Sequence, residues 1–122
     1  MLSADPQAVL ARLRVACLAL PQTDEIVSHG MPGFRVAGGM FAYFRNDHHG
    51  DGMIVVCVKT TGRDEQEMLM EAEPDLFSWP AYIGPSGWIA MSLAAPEVDW
   101  AHVEARLLTS WRLAAPKRLA AV

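Results

Sequence analysis

The chain has 122 residues, 52% of them hydrophobic, with 10 Lys and Arg against 14 Asp and Glu for a net charge of −4. That length makes one domain around one real core, and the apolar content excludes a disordered chain. No apolar run approaches the ~20 residues needed to cross a bilayer, and the acidic balance gives no prior for generic binding to phosphate backbones.

The first residues lack the basic-then-apolar pattern of a secretory signal, so the cytoplasm is the expected compartment. Cys17 and Cys57 sit in apolar runs and are expected to be buried thiols. Asp5 and Pro6 open a helix, Asp as a cap and Pro in the first turn. Leu10, Leu13, Cys17 and Leu20 fall on one helical stripe with Val9 and Ala16, and Pro21 ends it. Residues 25–29 read as a short strand. Then come Phe34-Arg35-Val36-Ala37 and Met40-Phe41-Ala42-Tyr43-Phe44, separated only by Gly38-Gly39. Two β-prone runs around a Gly-Gly pair predict a tight hairpin with those two glycines in the turn, at the centre of a sheet. In that register Val36 faces Phe41 and Phe34 faces Tyr43 on the core side. Arg35, Ala37, Met40, Ala42 and Phe44 point to the more open side.

A polar, Gly-rich loop over residues 46–52 leads to residues 53–59, the strongest strand signal. Six consecutive apolar residues there predict a strand covered on both faces. A helix follows from Arg63 or Asp64 to about Ala72, with acids in its first turn. Residues 79–83 read as an extended segment, 84–87 as a turn and 88–93 as a strand, together a second hairpin. Asp99 caps a last helix whose buried stripe is Trp100, Val103, Leu107, Trp111 and Ala114. The order α-β-β-β(-β)-α-β-β-α predicts an α+β two-layer sandwich, a mainly antiparallel sheet with helices on one face.

No catalytic residues, cofactor or metal site emerge. His48 and His49 stand between Asp47 and Asp51 and have the chemistry of transition-metal ligands, but adjacent imidazoles in a flexible loop converge poorly, so a solvated loop is expected. His29 has no nucleophile motif beside it, and Ser28, Ser86, Ser92 and Ser110 lack a nucleophile elbow. The aromatics say more: Trp79, Tyr82 and Trp88 are candidates for a shared groove taking a small molecule or peptide. Arg35, Arg45, Lys59 and Arg63 are candidate phosphate contacts.

These residues also resemble a known family. Leu18-Ala19-Leu20-Pro21 with Glu25, the run from His29 to Val36, Gly38 with Met40-Phe41-Ala42, Pro80-Ala81-Tyr82, Gly87-Trp88-Ile89 and Ser110-Trp111-Arg112-Leu113 are similar to the YjbR/MmcQ-like family of small bacterial proteins. The resemblance spans nearly the whole chain. It implies a compact α+β fold of double-wing type, no catalytic residues, and the family's usual label of DNA-binding protein. The family's pattern carries Lys straight after the turn glycine, where this chain has Gly39. The expected function is therefore non-enzymatic binding, with DNA as the partner or, alternatively, a small ligand or peptide in the aromatic groove.

Overall fold

A computed structural model describes residues 5–94 and 97–120. Helix α1 (Pro6–Leu18) precedes four strands, β1 (Thr23–Ser28), β2 (Met31–Val36), β3 (Gly39–Asn46) and β4 (Ile54–Lys59). Helix α2 (Arg63–Ala72), strands β5 (Phe77–Ser78) and β6 (Trp88–Ser92), helix α3 (Trp100–Ala114) and a one-turn α4 (Lys117–Ala120) complete the chain. The strands form one sheet in the order β1-β2-β3-β4-β6-β5, antiparallel at every pairing. The predicted α+β sandwich is therefore present. None of the described helices is long and apolar enough to cross a membrane.

The expected stripes drive the packing. Leu10, Leu13 and Cys17 of α1, Leu69 of α2, and Val103, Leu107 and Trp111 of α3 bury against Phe34, Val36, Phe44, Val56, Val58 and Ile89 of the sheet in one cluster. Asp5 caps α1 by accepting from Gln7 N–H at 3.0 Å. Asp99 caps α3 by accepting from His102 N–H at 3.1 Å.

Two sequence expectations need correction. The β2–β3 turn is Ala37-Gly38, both left-handed at φ 48° and 88°, so Val36 pairs with Gly39 rather than with Phe41. Gly39 has a different use: a Cβ there would come 3.0 Å from the Ala114 carbonyl oxygen, so its lack of a side chain lets the hairpin approach the end of α3. Further on, Arg35 opposes Met40 but Phe34 opposes Ala42, leaving Phe41 as an extra, bulged residue. A bulge resets the two-residue alternation. Phe41, Ala42 and Phe44 consequently share the helix-facing cluster, while Met40 and Tyr43 go to the opposite face.

The second correction concerns residues 79–83, which are not a strand. Only Phe77 and Ser78 pair with β6. Pro80 has no N–H for a ladder, and Tyr82 is left-handed at φ 70°. The 79–87 segment instead folds across the sheet's second face. There Ile83, Met40 and Tyr43 pack on a small cluster of Val55, Cys57, Trp88 and Ala90. This is why β4 is apolar throughout: both faces are covered, as its sequence predicts.

Polar groups lock these layers. Buried Ser110 donates to the Phe41 carbonyl at 2.6 Å and accepts from Lys59 N–H at 2.8 Å, joining α3 to β3 and β4. Gln66 of the acidic α2 is buried, and its amide donates to the Gly84 and Trp88 carbonyls, each at 2.7 Å. Removing one partner of a buried bond strands the other without water. Ser110→Ala is therefore expected to lower the unfolding free energy by about 2 kcal/mol, measured by urea denaturation. Burial also pushes the Cys57 thiol up to about 11 and raises that of Cys17. Neither thiol should react with a disulfide reagent at pH 8 until the chain is unfolded.

Candidate functional site

Where the loop-covered face meets the β1–β2 turn, the molecule has a cavity of about 560 Å³. The β1–β2 hairpin supplies Ser28, His29 and Met31, and β3 supplies Tyr43, Arg45 and Asn46. The β3–β4 loop adds Asp47, His48 and His49, and the 79–87 segment adds Tyr82 and Ile83. A second cavity of about 250 Å³ shares Arg45, His48 and His49 and is bounded further by Trp79, Ala81 and Met53.

The backbone around the larger cavity is unusual. Six non-glycine residues among those described have left-handed φ, and four of them line this cavity: His29 (52°), Asp47 (53°), His49 (55°) and Tyr82 (70°). The left-handed region costs an L-residue roughly 1–2 kcal/mol, less for Asp and His than for Tyr. Hydrogen bonds hold the loop in place. Asp47 Oδ1 accepts from Gly52 N–H at 2.7 Å, and Asp51 Oδ1 accepts from Met53 N–H at 2.8 Å.

Aromatic rings form the wall. The His48 and His49 rings lie 4.1 Å apart, and Tyr82 stands edge-on to His49 at 5.6 Å. Arg45 is only 8% exposed. Its Nη1 donates to the Ala81 carbonyl at 3.1 Å, while its buried Nε–H has no hydrogen-bond partner among the described residues. Burial, the Arg45 charge and His49 together hold the His48 imidazole below its usual value, against a smaller opposite pull from Asp51. Ser28 Oγ lies 3.2 Å from His29 Nδ1, but no carboxylate pairs with His29 among the described residues. No group of three His, Cys, Asp or Glu able to hold a metal ion occurs among them either.

The seven candidates from sequence do not converge. Trp88 is buried and packs on Tyr43, ring centroids 5.0 Å apart, and lines neither cavity. Trp79 and Tyr82 border different, neighbouring cavities. Of the four cations, Arg35 gives its Nε and Nη2 to Asp24. Arg63 stacks over Trp79 at 5.2 Å and pairs with Glu67 at 3.3 Å. Lys59 Nζ stands 5.8 Å from the Trp88 ring, and Arg45 is buried at the cavity. Tyr43 and the strained role of His49 escaped the sequence reading. The available signal was the density of Gly and Asp around 47–52, which marks left-handed turns.

Two measurements test this geometry. Tyr82 is 79% exposed, so its side chain contributes little burial against its backbone strain. Tyr82→Gly should raise the unfolding free energy by about 1 kcal/mol. For His48, a folded pKa below the unfolded value means that the unfolded chain takes up the proton first. Its contribution is intact above the unfolded pKa of about 6.5 and lost as pH falls below it. Urea midpoints at pH 7.5 and 5.5 should therefore fall further apart in the parent chain than in His48→Asn.

Comparison with known proteins fits this architecture. No curated protein matches the chain. A crystal structure of a Deinococcus radiodurans protein with a DUF419 domain superposes with a TM-score of 0.69 at 21% identity, covering 89% of this chain and 80% of that one. The model of the YjbR family matches residues 18–113. With the fold and this match together, the chain belongs to the YjbR family.

Proposed function

We propose that this chain is a non-enzymatic binding domain that takes a small, part-aromatic molecule in the cavity between the β1–β2 turn, the 47–52 loop and Tyr82. The observation that carries this reading is the gathering of four left-handed non-glycine residues around one cavity. Backbone strain persists where the surroundings over-determine it, and it concentrates at ligand clamps. A volume of about 560 Å³ is in the range of small-molecule sites. Among the described residues no third, orienting group of the kind that activates a nucleophile pairs with Ser28 and His29, which favours binding over catalysis. Two buried thiols suit a reducing compartment such as the cytoplasm.

Nucleic acid is the second partner class. It draws on the family's label and on Arg63, whose side chain is 70% exposed and stacked on Trp79, a pair on which a base can also stack. Against it, three of the four candidate cations are paired or buried.

Ligand-observed NMR with aromatic fragments tests the first reading, comparing the parent chain with Tyr82→Ala. Loss of one stacking wall should weaken the hits roughly tenfold; hits that bind both proteins equally would refute the cavity as their site. A mobility-shift assay with duplex DNA tests the second. No shift is expected at micromolar protein and 50 mM salt, whereas a shift abolished by 200 mM salt would establish the nucleic-acid reading.

A further inference from the structure

We infer that the ligand of this cavity carries a carboxylate, and that the Arg45 guanidinium is its anchor. The inference rests on the cavity being the ligand site, and Arg45 gives that site its chemistry. A guanidinium offers five N–H donors in a fixed fork, and buried charges are ordinarily paired. Arg45 is more than nine-tenths buried, yet its one hydrogen bond within the described residues runs from Nη1 to a backbone carbonyl. A neutral donor would suffice for that.

The chain itself shows what the other edge of an arginine does here. Arg14 presents Nε and Nη2 to the two carboxylate oxygens of Glu25, and Arg35 presents the same edge to Asp24. At Arg45 that edge receives no carboxylate among the described residues, and the buried Nε–H has no partner. The two acids of the adjoining loop are otherwise engaged: Asp47 and Asp51 each accept from a backbone N–H. A carboxylate supplied from outside completes the fork in the geometry this fold already uses twice.

The surroundings favour carboxylate over phosphate. Among the described residues Arg45 is the one Lys or Arg of the lining and Asp47 its one acid, whose Oδ1 is held by Gly52 N–H, so a single cation with a carboxylate nearby suits a monoanion better than a dianion. Tyr43, Tyr82, Ile83 and Met31 provide a mostly apolar body for the rest of it. Arg45, His48 and His49 border both cavities, so a ligand oxygen that reaches the enclosed Nε–H has to move this shared wall.

Isothermal titration at pH 7.5 with 1-naphthoate, its neutral amide 1-naphthamide, and 1-naphthyl phosphate tests the inference. Naphthoate should bind the parent chain at least tenfold more tightly than the amide, since hydrogen bonds to a charged group exceed those to a neutral one by about that factor. Arg45→Met, which keeps the buried stem and removes the charge, should bring the acid down to the amide's affinity while retaining the parent's circular dichroism. Equal affinity of acid and amide for the parent chain would overturn the carboxylate and leave the cavity standing. Binding of none of the three at millimolar concentration would sink the cavity as well. Tighter binding of the phosphate than of the acid, or an acid preference that survives Arg45→Met, would also overturn the assignment. Should Arg45→Met fail to fold, the comparison of acid and amide on the parent chain decides alone.

Discussion

A sheet has two faces, and three helices in a chain of this size are enough for one of them. Here α1, α2 and α3 close the face carrying Phe34, Val56 and Val58. The opposite face keeps Val55, Cys57, Trp88 and Ala90, which water would solvate at a cost of roughly 25 cal/mol per Å². The remedy is irregular chain: the 79–87 segment lies on that face, held by Ile83 packing, the Arg45–Ala81 hydrogen bond and the Gln66 amide. A loop covers a flat face less completely than a helix would. The cavity sits where this cover meets the 47–52 loop.

That location accounts for the chemistry found there. Loops reach left-handed backbone that strands and helices do not, and the rigid layers beneath absorb the strain. Arg45 comes off β3 and Tyr43 off the same strand, so two wall groups stand on the stiff part of the fold. His48, His49 and Tyr82 come from the irregular chain laid over it. Stability has been surrendered at this corner through an incompletely paired buried cation and several left-handed residues, and such local rule-breaking characteristically marks function.

Much of the architecture was legible in the residues. Apolar periodicity placed α1, α2 and α3, and the unbroken run through Val55 and Val58 announced a strand covered on both sides. The hairpin register was not legible, because Gly38-Gly39 offers two glycines for two different jobs: Gly38 takes the left-handed turn, and Gly39 gives way to the end of α3. Nor does sequence reveal a bulge at Phe41, which arises from pairing with β2. The same blindness hides which candidate residues come together. Arg45 looks like any surface cation in one dimension, and only the fold of residues 79–83 over β3 buries it. Trp88 reads as a groove wall until Tyr43, four residues beyond the start of β3 at Gly39, is seen to pack on it. Local propensity reports local structure, whereas burial of a charge is set by distant chain.

The account stands on the claim that the loop-covered face, and not the helical surface or the scattered cations, is where this domain meets its partner. A backbone chemical-shift map recorded while 1-naphthoate is added tests it most directly. The account predicts perturbations grouped on residues 28–31, 43–49 and 81–83, with α2 and α3 unmoved. Shifts that gather on the outer surfaces of α2 or α3, or around Arg35 at the β1–β2 edge, would contradict it.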